Sequence, residues 1–272
     1  MMKFCNKFLN RICITALSIF TFACALNAMA DDAPILDANV GFISIPRLPL
    51  GGNQVNPIRF AAIRQAATSL GARGGLAWQA RNIDMALATE SIFLDQVFDF
   101  NQLLLGHNVQ PPVLIQSNNN LNLDNNDTLR IATKTYRIIR AARFVTAPPN
   151  WRTYLWMRYP KPHLTDRSLL PQTQAEAMVW NHFIKKGWVK GSQQAMDIFT
   201  DNLNRMKRDM LGMILYRKLL ALHMVSAPFV AKADLGVTGN GSQLRINDQV
   251  LRITSQSELQ PNPQKWRPVI TK

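Results

Sequence analysis

The stretch that most constrains this chain runs from Pro171 to Val225. It opens Pro171-Gln172-Thr173-Gln174-Ala175-Glu176. Proline suits a first helical turn, where its missing N–H has no intrahelical partner, and Thr173 with Glu176 three residues on has capping-box spacing. Phe199, Leu203, Met206, Met210 and Met213 then recur at steps of three and four, lining one helical face. Beyond Met210 the polar side disappears: Leu211, Met213, Ile214, Leu215, Tyr216, Leu219, Leu220 and Leu222 follow. A helix apolar nearly all round is buried nearly all round, so this end is expected at the centre of the core. Gly187 and Gly191 are expected to divide the stretch into helices over Thr173–Lys186 and Ser192–Val225. The second would be about 50 Å long at 1.5 Å per residue, which suits a scaffold at least as well as an active-site support.

Two shorter helices are expected earlier. Asn56-Pro57 pairs an N-cap residue with proline, starting one that ends at Gly71. After Gly74-Gly75, a second runs from about Leu76 to Phe93 or Phe98. Ala61, Ala62, Ala66, Ala67, Ala72 and Ala77 offer small surfaces for close packing. Strand signals come next. Val113-Leu114-Ile115 is expected to stop at Asn118-Asn119-Asn120, and Leu121 and Leu123 lead to an Asp124–Asp127 turn. Thr128–Val145 then alternates with period two. Leu235–Gly241 reads as a turn, and Gln243–Thr254 as a hairpin about Asn247-Asp248-Gln249. The expected fold class is α+β: mainly helical with a long central helix, a small antiparallel sheet and a C-terminal β-hairpin. Residues 56–259 are expected to form one domain between an extended N-terminal arm, 31–55, and a C-terminal arm, 260–272.

The first thirty residues read as a secretory signal peptide. Lys3, Lys7 and Arg11 precede an apolar run from Ile12 to Leu26, and Ala28-Met29-Ala30 precedes Asp31-Asp32. Cys24 after Ala23 offers a competing lipidation site, although Thr21 and Phe22 are poor residues ahead of that alanine. All three cysteines (Cys5, Cys13, Cys24) lie in this segment. Cleavage after Ala30 would leave no thiol, so disulfide frameworks, zinc-thiolate sites and cysteine nucleophiles are excluded from the mature part. The mature chain would keep 28 cations against 17 acids, a formal +11. For an exported protein, that surplus points to anionic envelope polymers, lipid head groups or acidic protein faces.

Chemistry-bearing motifs are sparse. Gly236–Gly241 lacks the lysine of a phosphate loop, and His107, His163, His182 and His223 show no ligand spacing. No catalytic residue, metal or cofactor is expected. The candidate partner-binding residues are Arg130, Lys134 and Arg137 on the alternating strand, and Trp151, Tyr154 and Trp156 in an aromatic segment. Charge on a strand also guards a sheet edge, and the aromatics also suit a sheet–helix junction. A platform of such rings would serve the alternative reading, a periplasmic cell-wall-glycan-binding module or hydrolase.

Several segments in order resemble one family. They include Leu76-Ala77-Trp78, Leu94–Phe100, His107–Val113, Ala142–Thr146 with Pro148–Arg152, Leu169–Gln172, Asp201–Arg205 with Arg208-Asp209, Gly212–Leu220, and Asp234–Gly239 through Arg245–Asp248. Together they resemble the DotC family of type IVB secretion and IncI-type conjugation systems. The resemblance implies a structural subunit of an outer-membrane core complex, exported to the periplasmic face of the outer membrane. Its implied partners are a DotD-like lipoprotein, a DotH-like outer-membrane subunit and further copies within a ring-shaped complex. It implies no catalytic residues and no direct nucleic-acid binding. Family members are usually lipoproteins, which bears on Cys24.

Overall fold

The computed structural model describes residues 56–125, 127–163 and 167–267. The expected signal peptide (1–30) with Cys24, the arm 31–55 and residues 268–272 lie outside them. The fold is α+β, as expected, with a long helix, small antiparallel sheets and a C-terminal hairpin. The chain packs as two compact units, one ending at Val97 and resuming over Leu155–Asn202, the other comprising Phe98–Tyr154 and Leu203–Lys272.

The first unit is built on two helices, α1 (Pro57–Thr89) and the opening part of a 48-residue helix over Gln174–Ala221. Asn56 caps α1, its Oδ1 accepting the Ile58 N–H at 2.9 Å. A short α2 follows at Ser91–Val97. Neither long helix breaks where its glycines predict: α1 runs through Gly71, Gly74 and Gly75, and the long helix through Gly187 and Gly191. One cause corrects both expectations. The helices lie parallel at a nearly constant sequence offset: Arg59 meets Glu176, Ser192 meets Gly75 and Gln79 meets Met196, each 117 residues apart. A Cβ on Gly71 would strike the Ile184 carbonyl, and one on Gly75 the Trp188 carbonyl. Gly187 and Gly191 likewise face the carbonyls of Thr68 and Ala72. Main chain touches main chain, and a carbonyl fixed in a helix cannot step aside. Glycine costs a helix interior roughly 0.5–1 kcal/mol, which this contact offsets.

Ile63, Ala67, Leu70, Leu170, Trp180, Ile184 and Trp188 form the core beside the contact. At the start of the long helix the Glu176 N–H donates to Thr173 Oγ1 at 3.1 Å, as the spacing predicts. The Glu176 carboxylate accepts the Gln172 N–H at 2.7 Å and two Arg59 donors at 2.6 and 3.2 Å. Burial alone would raise its pKa. The hydrogen bonds from Arg59 and Gln172, with Arg59's charge, outweigh burial and hold it below the usual carboxylate range.

The second unit holds the strands β1 (Val109–Gln110), β2 (Val113–Asn125), β3 (Thr128–Arg140) and β4 (Arg143–Phe144). The five-residue α3 (Trp151–Leu155) follows, in this unit up to Tyr154, then α4 (Gln174–Ala221, the long helix) from Leu203 onward, β5 (Phe229–Asn240) and β6 (Gln243–Ser255). The described strands pair only as β1–β4, β2–β3 and β5–β6. β2 does not turn at Asn118–Asn120. Asn119 takes φ 50°, a left-handed conformation asparagine tolerates, and the ladder continues from Asn118↔Lys134 to Asn120↔Ala132. β2 ends at Asn125 and pairs there with Thr128, the first residue of β3, so the strands change over within the stretch where the Asp124–Asp127 turn was expected. The apolar segment after Val97 is core, with Phe98, Phe100 and Val109 buried.

α4 buries Met206, Met210, Met213, Tyr216 and Leu219, whereas Leu211 stays 43% exposed. The all-round burial expected there is therefore only partial. Gly212 admits β2: a Cβ on it would sit 2.6 Å from the Leu114 carbonyl oxygen. Leu114 packs with Tyr216, Leu219 and Val225, joined by Tyr136 and Ile138 of β3. α4 ends in a Schellman motif: the Met224 N–H donates to the Leu219 carbonyl, the His223 N–H to that of Leu220, and His223 takes φ 55°. The C-terminal hairpin turns at Asn240–Gln243, where Asn240 Oδ1 accepts the N–H groups of Ser242 and Gln243. The turn expected at Asn247–Gln249 is instead a bulge inside β6, with Asn247 at φ 57° and Gly236 of β5 at φ 70°.

In an ordinary exposed helix Gly→Ala adds roughly 0.5–1 kcal/mol of stability. At Gly191 the sign reverses: Gly191→Ala is expected to lower unfolding stability by about 1–3 kcal/mol through steric overlap. Chemical denaturation of the variant against wild type measures it.

Candidate interaction surface

The predicted basic residues all lie on β3 and are exposed, but they do not share one face. Arg130 and Lys134, opposite Asn122 and Asn118, share a face with Tyr136 and Ile138. Arg137, opposite Ile115, lies on the other. Period two separates side chains an odd number of residues apart.

The base of this hairpin is locked to α4 by Asp209, which is fully buried. Arg140 Nη1 donates to its Oδ2 at 2.8 Å and the Tyr154 hydroxyl to the same oxygen at 3.0 Å, while Arg208 donates to Oδ1 at 3.2 Å. Phe100 stacks on the Tyr154 ring at 5.8 Å, and the Arg205 guanidinium lies 5.7 Å from its centre. The Tyr154 hydroxyl therefore serves as a strut within the unit. Burial first, then the charge and hydrogen bond of Asp209, raise its pKa above the ordinary phenol value. Burial also raises that of Tyr216.

Trp151 is interior at 1% exposure, its ring beside the Arg152 guanidinium at 4.3 Å. As a partner-binding candidate it is corrected: a ring with no accessible surface packs the core. Trp156 is 38% exposed, with the Arg158 guanidinium 4.7 Å from its ring. Helical spacing missed Asp209, because an acid beside Arg208 reads as part of a solvated face. Its signal lay one step away: Asp209 directly precedes Met210, at the start of the most apolar part of the helix.

The alternation read over Thr128–Val145 falls on β3 and β4, but over the outer part of β3 both faces are open to solvent. Leu121, Leu123, Leu129 and Ile131 are exposed, as are Val237, Leu244 and Ile246 on β5–β6. Among the described residues no group of three or more His, Cys, Asp and Glu could hold a metal, and no helix is long and apolar enough to cross a membrane.

Residues 57–268, which include every helix and strand above, match the family described as type IV secretory system, conjugal DNA-protein transfer. The chain belongs to that family. A comparison with curated proteins gives no match.

Two outcomes test the Asp209 anchor. Asp209→Ala leaves the Tyr154 hydroxyl and the partly exposed Arg140 without their partner, and unfolding stability should fall by about 1–3 kcal/mol. A raised tyrosine pKa contributes stability that is complete below the unfolded value of about 10 and is lost as pH rises through the folded value. Melting temperature should therefore fall on that alkaline limb. Tyr154→Phe should flatten the limb and remove a late component from the phenolate absorbance titration.

Proposed function

We propose that the chain is a DotC-type structural subunit of the outer-membrane core complex of a type IVB secretion or conjugation system. In this reading it is exported, works at the periplasmic face of the outer membrane, and helps place a DotH-like channel subunit there with a DotD-like lipoprotein. It acts by binding, not by catalysis, and does not contact nucleic acid directly. The observation that carries the reading is the β2–β3 hairpin, held at its base by Asp209 and Gly212 while its outer half offers cations and aliphatics to solvent. A protruding surface of this composition suits a macromolecular partner better than a small substrate, which needs a concave site. The formal +11 of the mature chain suits acidic partners or lipopolysaccharide phosphates. The glycan-binding alternative needs a platform of exposed rings; Trp151 is interior and the Tyr154 hydroxyl is engaged by Asp209.

Two measurements test the reading. Changing Arg130, Lys134 and Arg137 together to Glu should cut co-purification with envelope partners at least about tenfold, the effect of ~1.4 kcal/mol. Unchanged recovery would remove these residues from the interface. The intact mass of the protein extracted from bacterial envelopes decides the anchor. A chain beginning at Asp31 is held at the membrane by its partners, and an acylated chain beginning at Cys24 carries its own.

A further inference from the structure

Residues 257–267 cross the C-terminal end of α4 and are tied there at several points. Antiparallel to residues 224–226, the Ser226 N–H donates to the Glu258 carbonyl and the Gln260 N–H to the Met224 carbonyl, each at 2.9 Å. The Glu258 N–H donates to Ser226 Oγ, also at 2.9 Å. Farther on, Asn262 caps the single helical turn Pro263–Lys265. The Trp266 indole N–H then donates to the Gln260 carbonyl at 2.8 Å, and the Arg267 N–H to the Leu222 carbonyl at 2.9 Å. Held at both ends, the segment frames a cleft of about 660 Å³ against the end of α4. That volume falls within the range of small-ligand sites, roughly 300–1,000 Å³.

The lining combines an apolar body with a few polar groups, as ligand sites do. Leu220, Val225 and Leu259, which belong to the core around Tyr216, supply the apolar part. Glu258, Lys265 and His223 line the same cleft and are exposed. Among the described residues, no hydrogen bond or ion pair engages the Glu258 carboxylate, the Lys265 ammonium or the His223 ring. The carboxylates that serve the fold differ: those of Glu176 and Asp209 are filled by donors of the chain itself. Here backbone bonds fix the residues and leave their charged ends unused.

We propose that this cleft binds a short apolar peptide with free ends. Its ammonium meets Glu258, its carboxylate meets Lys265, and its side chains lie over Leu220, Val225 and Leu259. A ligand of one sign would be repelled by one of the two charges, whereas a zwitterion satisfies both. Charge-assisted hydrogen bonds fix the ends, and the apolar body gains by leaving water. His223, held at φ 55° by the Schellman motif that ends α4, adds a further hydrogen-bonding group. The site goes beyond the assembly reading: it lies at the end of α4, away from the residues read there as docking groups, and takes a small ligand.

The test is calorimetric titration of the protein purified from envelopes with three probes: dileucine, N-acetyl-dileucine and dileucine methyl ester. Wild type should bind dileucine, and blocking either end of the peptide should weaken binding at least about tenfold, the effect of ~1.4 kcal/mol. Glu258→Gln should weaken dileucine by the same factor yet bind N-acetyl-dileucine as wild type does, because the ammonium it would have met is already gone. Lys265→Gln should behave likewise toward the methyl ester. Lys232→Gln removes a cation from β5 outside the cleft and should change nothing. The blocked peptides probe wild type directly, so the result does not hang on the folding of any variant. A wild type that ignores dileucine, or binds all three peptides alike, would overturn the proposal. So would a loss with Lys232→Gln as large as that with Lys265→Gln. None of these outcomes depends on co-purification with envelope partners, so failure here leaves the assembly reading standing.

Discussion

The contact on which the first unit depends is one of backbone with backbone. Gly71 and Gly75 on α1, and Gly187 and Gly191 on α4, sit where the other helix's carbonyls leave no room for a Cβ. Glycine is among the poorest residues for a helix interior, yet both helices run through their glycines, because tertiary contact offsets the intrinsic preference. Close approach also brings the flanking side chains together: Trp78 meets Trp188 at 5.7 Å, and Arg59 reaches both oxygens of Glu176. An uninterrupted α4 then contributes residues to both units.

In the second unit the same economy of space appears at Gly212, where α4 admits the start of β2. Polar anchoring is added by Asp209. An unpaired buried carboxylate would be strongly unfavourable, but three donors from Arg140, Tyr154 and Arg208 satisfy this one. The hairpin is thus firm at its base and open further out. Residues that read as docking groups divide accordingly: Tyr154 belongs to the anchored base, and Arg130 and Lys134 lie along the open strand.

For a member of a type IV secretion family, this division of labour is mechanically sensible. In the assembly role proposed above, projecting elements would need to keep their direction while offering surface to neighbours. Short hairpins tethered by a buried polar hub meet that need without enclosing a cavity. The open aliphatic faces are then best understood as surface awaiting a second layer, which no two-stranded ribbon supplies for itself.

Much was legible from local chemistry. The α+β class, the Asn56 and Thr173 helix starts, the change of strand within 124–127 and the buried methionine face of α4 follow from capping geometry and periodicity, which act within a few residues. The ordered motifs also pointed to the type IV secretion class that the family match supports. What tertiary structure decided was how each ambiguous residue was used. Gly187 reads as a helix stop until another backbone lies against it. Asn119 and Asn247 read as turns until a partner strand continues past them. Trp151 reads as a docking ring until the fold closes over it, and Asp209 as solvated until three donors surround it. In each case local propensity amounts to about 1 kcal/mol, while the contact that overrides it comes from residues distant in sequence, which no local pattern encodes.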